Sequence, residues 1–176
     1  MALVRALAMK IVSGTSLIDR FGMEYFQGAS VFGALSETAI EFLLKNGRVL
    51  ELDKGDVVYS PGDKGDKFYV VLQGTLSFYQ FYLGEFAYIR DHLYGEEMGF
   101  VAMVALHDRI GKAVAAEDGY VLEISCGLFH ELHEKLPNDF GLFLLNLSRE
   151  MARTIREVSN IIVENEIAKR TPDQIS

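Results

Sequence analysis

The sequence predicts a mainly β domain flanked by helices, with the strands forming an antiparallel sandwich or barrel. Three observations carry this. Between residues 48 and 93, short apolar runs with period two are punctuated by Gly and Pro. Before residue 47 and after residue 126 the apolar spacing lengthens to that of a helix. With 176 residues, 49% of them apolar, the chain can bury the core of one domain without staples.

In chain order, residues 2 to 12 read as a short helix, since Leu3, Leu7 and Ile11 recur on one face. Residues 13 to 30 contain Gly14, Gly22 and Gly28 and read as a loosely structured connection. "VFGALSETAIEFLLKNG" is a helix: Ser36 caps it, Ala39, Ile40, Phe42, Leu43 and Leu44 form its apolar side, and Gly47 ends it. "RVLEL", "VVYS", "KFYVVLQ", "TLSFYQFYL" and "FAYIRDHL" are strands separated by turns. "EEMGFVAMVAL" interrupts them with helical character, after which "KAVAAE" and "YVLEIS" resume period two. "GLFHELHEKL" is a helix ending at Pro137, and the chain from Asn138 is helical to near its end. Phe140, Leu144, Leu147, Met151, Ile155, Val158 and Ile162 follow steps of three and four, close to a coiled-coil seam. At ~1.5 Å per residue, some thirty residues span roughly 45 Å, more than one small barrel covers.

The net charge of -8 and pI near 5.0 argue against nucleic acid as the main partner. They leave room for a small anion in one local basic pocket. A single cysteine, Cys126, cannot form an intrachain disulfide, which fits a reducing compartment, and the cytoplasm is the expected location. No apolar run approaches the ~20 residues needed to span a bilayer. "MALVRALAMKIVSG" is interrupted by Arg5 and Lys10 and reads as a helix rather than a signal peptide.

The chemistry concentrates in "YGEEMGFVAMVALHDRIGKAVAAEDG", residues 94 to 119. A strand turning into a short helix presents backbone N–H groups that suit phosphate. Gly95 lets the backbone approach closely, and Arg109 on the returning strand offers a two-pronged cationic donor. A carboxylate at the helix start repels a bare phosphate but accepts from sugar hydroxyls beside it. The arrangement therefore suggests a nucleotide with one anionic phosphate and a free ribose hydroxyl.

At these residues the sequence resembles the cyclic nucleotide-binding domain family, which includes the catabolite activator protein and the regulatory subunits of the cyclic-AMP-dependent kinase. The resemblance runs from about Val31 to about Ile162 and includes the glycine pattern of "KGDVVYSPGDKGDKFYVVLQG" (Gly55, Gly62, Gly65, Gly74), the Gly-Glu…Arg cassette, "AVAAEDGYVLEIS" and the long helix. It implies an eight-stranded jelly-roll barrel with N-terminal helices and a long C-terminal helix. It also implies that Arg109 holds the cyclic phosphate and Glu96 the ribose 2′-hydroxyl, with Gly95 and Glu97 supplying backbone. Since "GEE" is ambiguous in register, Glu97 is the alternative for the role given to Glu96. Thirteen positions separate Glu96 from Arg109, several more than family members usually show. Ile110 stands where a Ser or Thr often helps bind phosphate or guanine, and Gly111 replaces the usual Ala. In a chain-order match of "MARTIREVSN", Ser159 falls where a hydroxyl meets the base of bound cyclic AMP; the alternative is a solvated position on a helix.

Other readings compete. Arg109 beside Asp108 could be a surface ion pair, and one of Glu96 and Glu97 could serve only the helix N-terminus. His130, His133 and Glu134 lie one turn apart, but no further metal ligand is identifiable. A cupin-like metal enzyme would need a His-x-His strand, and none occurs. The expected protein is thus a non-catalytic sensor of cyclic AMP, or of cyclic GMP with less preference, that needs no metal or other cofactor. Its expected segments are an N-terminal helical extension (1–30), the β-roll (31–137), a homodimerising helix (138–168) and a tail (169–176). It would signal to an unidentified downstream protein, and neither DNA nor a membrane is an expected partner. Only "AKRTPDQIS" follows the long helix, so no helix-turn-helix domain is expected. The alternatives are a degenerate fold acting as a protein-interaction scaffold, a sensor of another small ligand or, less favoured, a cupin-like metal enzyme.

Overall fold

A computed structural model describes residues 9–170. Nine strands among the described residues form two antiparallel sheets. The five-stranded sheet has the order β1 (Lys10–Val12), β2 (Arg48–Leu52), β9 (Gly119–Ser125), β4 (Lys67–Gln73), β7 (Glu97–Met98). The four-stranded sheet has the order β3 (Val57–Tyr59), β8 (Gly111–Ala115), β5 (Leu76–Tyr82), β6 (Glu85–His92). This is the jelly-roll architecture of the sequence expectation, with one additional strand.

Strand β4 shows why two cores form. Its "KFYVVLQ" is apolar on both faces, as a strand covered on both sides must be. Tyr69 and Val71 point between the sheets, where they join Leu50, Tyr59, Leu76, Met98, Ala113 and Val121. Phe68, Val70 and Leu72 point the other way, into a larger core built with the helices. Those helices are α1 (Gly14–Phe21), α2 (Met23–Gln27), α3 (Glu37–Asn46), α4 (Phe100–Val104), α5 (Cys126–Lys135) and α6 (Pro137–Arg170). The Ser36 side chain accepts from Ala39 N–H at the start of α3, as expected of a cap.

Two expectations near the N-terminus are corrected. The helix expected at residues 2–12 lies mostly outside the described residues, and its described end is strand β1, paired to β2 with Lys10 bridging to Glu51. The connection expected at 13–30 is two helices and a 3-10 turn at Ser30–Phe32. Gly22 marks the break between the helices rather than a loop, and Leu17, Phe26, Val31 and Phe32 are buried.

Helix α6 begins at Pro137, where a missing N–H costs nothing. Phe143 and Leu147 are buried against the barrel, and Asn146 donates to the backbone of Val31 and Gly33. From Ile155 to Ala168 every residue is exposed. The expected stripe therefore changes environment along the helix: Phe140, Leu147 and Met151 pack on the core, whereas Ile155, Val158 and Ile162 face solvent. No helix among the described residues is long and apolar enough to cross a membrane.

Candidate functional site

A cavity of about 380 Å³ opens between the four-stranded sheet, α4 and α6, within the size range of small-molecule sites. Tyr59, Phe78, Met98, Val101, Ile110 and Ile155 give it apolar walls. Its polar groups come from Arg90 and His92 on β6, Glu97 on β7, His107 and Arg109 before β8, and Thr154 on α6.

Arg109 is 4% exposed. One terminal nitrogen donates to Gly99 O at 2.8 Å and the other to Lys67 O. The guanidinium lies over the Tyr59 ring, 4.4 Å from its centroid. Its buried Nε has no hydrogen-bond partner, and no carboxylate among the described residues bridges to it. The surface ion pair with Asp108 does not form, because Asp108 pairs with Lys64 at 3.2 Å. A buried cation that no carboxylate bridges is costly. An anion against this wall would remove the cost.

Glu97 is the buried member of the acidic pair. Its carboxylate accepts from Phe100 N–H at 2.9 Å, so that N–H at the start of α4 is not free for a ligand. Burial pushes the Glu97 carboxyl up to about 7, and Glu150 adds to this, while the Phe100 hydrogen bond, Arg90 and Arg109 oppose it. His92 Nδ1 meets Glu97 O at 2.7 Å, and burial pulls this imidazole down to about 4, with Arg90 contributing. Glu96 points elsewhere: it pairs with Arg90 at 2.9 Å and accepts from Leu93 N–H. Arg90 also donates to Thr154 Oγ1 at 2.9 Å and to Glu157 at 3.3 Å, tying α6 to the barrel.

Of the residues expected at the site, Glu97, Arg109, Ile110 and Gly111 line the cavity, whereas Gly95, Glu96 and Ser159 do not. Gly95 is packed against other backbone, since a Cβ there would fall 2.6 Å from Ser30 N and 2.8 Å from Ala29 Cα. Its φ of +81° also favours glycine. Ser159 is exposed and donates back to Ile155 O. Thr154, one and a half turns earlier, is the α6 hydroxyl at the cavity. Sequence reasoning missed Tyr59, Arg90, His92, Gly99 and Thr154. Only Arg90 carried a signal, as a charge within the apolar run "FAYIRDHL". The His130–Glu134 pair on α5 is 3.4 Å apart, and no group of three or more metal-binding side chains occurs among the described residues.

The two-sheet β-roll, capped by helices, lines one cavity with a glutamate and an arginine, and this architecture is shared by known domains. Residues 49–135 match the family model described as cyclic nucleotide-binding domain. Solved structures share the fold. A cyclic nucleotide-binding domain from Methylobacillus flagellatus KT is 17% identical, with 89% of each chain covered and a TM-score of 0.76. The catabolite activator protein of Thermus thermophilus is 23% identical over 78% of this chain and 63% of that one, with a TM-score of 0.66. The regulatory domain of Toxoplasma gondii PKA, crystallised with cAMP, is 14% identical over 79% of this chain and 51% of that one, with a TM-score of 0.61. No curated protein matches the sequence.

Proposed function

We propose that this protein is a non-catalytic, cytoplasmic sensor that binds a cyclic nucleotide, cyclic AMP in preference to cyclic GMP, and signals through α6. The observation that carries the reading is Arg109, a buried guanidinium without a carboxylate partner on the wall of a cavity of nucleotide size. In this reading Arg109 takes the cyclic phosphate and Ile110 and Gly111 flank it. Glu97, rather than Glu96, takes the ribose hydroxyl, because Glu97 lines the cavity while Glu96 is engaged by Arg90. Thr154, rather than Ser159, meets the polar edge of the base. Ile110 offers no hydroxyl to guanine, which favours adenine. Residues 31–137 form the ligand-binding unit, and residues 138–168 are the output and homodimerisation element that acts on a downstream protein.

Calorimetric titration with cyclic AMP and cyclic GMP tests this. Arg109→Leu is expected to weaken binding by roughly 3 kcal/mol, over a hundredfold, because the phosphate loses charged hydrogen bonds. Absence of heat from wild-type protein at millimolar nucleotide would overturn the reading. The scaffold reading would then stand, since both Arg109 terminal nitrogens already donate to backbone carbonyls.

A further inference from the structure

Gly99 lies between β7 and α4, in the left-handed conformation at φ +94°. Its carbonyl accepts from Arg109, whose guanidinium lies against the space a side chain would occupy. A Cβ added there would fall 2.4 Å from Arg109 Nη1 and 3.0 Å from Cζ. Tyr59 holds the same guanidinium at 4.4 Å and is itself stacked on Tyr69, with ring centroids 6.0 Å apart. Lys67 O holds the second terminal nitrogen. The cation is thus gripped by one ring, two carbonyls and the bare face of one glycine.

We propose that Gly99 is a positioning residue of the anion site: it seats the Arg109 guanidinium against its own backbone and so fixes the donor at the cavity wall. The proposal rests on Arg109 being the group that takes the ligand's anion. A side chain here would disturb the seat for two separable reasons. One is the backbone conformation, which asparagine tolerates better than other side chains. The other is the space the guanidinium occupies, which any Cβ invades.

The test separates them. Gly99→Asn relieves the backbone requirement but keeps the Cβ, and Gly99→Ala violates both. Both variants are expected to lose at least tenfold in affinity for cyclic AMP by calorimetry. In an Arg109→Lys background, whose ammonium does not need the flat seat, Gly99→Asn is expected to change affinity by less than twofold. Equal losses in the two backgrounds, or wild-type affinity in Gly99→Asn, would overturn the proposal. A ligand-free readout keeps it distinct from the sensor reading. With both terminal nitrogens held, the Arg109 guanidinium should give separate Nη proton resonances in NMR, identified by their loss in Arg109→Lys. Gly99→Asn should merge them. Failure of wild type to bind nucleotide while the resonances behave as expected would end the sensor reading and leave the seat; resonances unchanged in Gly99→Asn would end the seat.

Discussion

Glu97 and His92 share one buried polar corner and titrate in opposite directions. Glu97 is held near 7, above its ordinary 4.5, so the folded state binds the proton more tightly than the unfolded one. Its contribution to stability is full below pH 4.5 and is lost as pH rises through 7. His92 is held near 4, below its ordinary 6.5, so its contribution is present above pH 6.5 and lost as pH falls through 4. Between 4.5 and 6.5 the two offset each other. Glu97→Gln removes one of them while keeping an oxygen for the Phe100 N–H. It is expected to exceed wild type in stability by about 3 kcal/mol at pH 8 and by nearly nothing at pH 4.5, measured by urea unfolding. A difference independent of pH would show that the carboxyl is not desolvated. Composition and spacing pointed to this acidic pair but left its register open. The choice between Glu96 and Glu97 is made by the pairing of β7 with β4, where Glu97 lies opposite Val70. Such a long-range contact has no trace in a local pattern.

Among the elements, α6 shows best what a sequence discloses and what it withholds. Its length and its three-and-four spacing are local properties and were legible, as were the strands, whose alternation is also local. Which part of the helix touches the barrel was not legible, because that depends on how Phe143, Asn146 and Leu147 seat against the 3-10 turn at Ser30–Phe32 and its neighbours. Hence the hydroxyl at the cavity is Thr154 and not Ser159, a shift of five residues, or ~7.5 Å along the axis. The helices at 14–27 were hidden for another reason: three glycines resemble a loop until burial of Leu17 and Phe26 is known. Arg90 is the clasp between these elements, bridging Glu96 before β7 to Thr154 and Glu157 on α6. Arg90→Gln should remove two charged contacts in a partly buried place, costing about 1–2 kcal/mol. Amide hydrogen exchange should then accelerate around residues 150–157 and stay unchanged in β4 and β9. Uniform acceleration would mean that Arg90 supports the whole fold rather than the junction.

For the whole molecule, charge and apolar surface set the expected associations. A net charge of -8 repels phosphate backbones, so anisotropy titration with duplex DNA at moderate salt should show no complex. Sub-micromolar binding with a steep salt slope would contradict this. Self-association is the expectation from α6, on which Ile155, Val158, Ile161, Ile162 and Val163 all lie exposed along little more than two turns. A patch of this kind on a lone helix favours a partner surface, and a second copy in parallel presents the same residues at matching heights. Met151 is a poor place to test this, because it packs on the core and lines the cavity. Val158 and Ile162 are free of both roles, so Val158→Glu with Ile162→Glu places two charges in the proposed seam without touching the barrel. Light scattering at ~100 μM should give a dimer for wild type and a monomer for the variant, with unchanged circular dichroism in the β region. That concentration exceeds the micromolar dissociation constant corresponding to ~8 kcal/mol of association. A wild-type monomer under these conditions would remove the dimer, and any ligand signal would then have to leave through α6 by changing its contact with the barrel at Arg90.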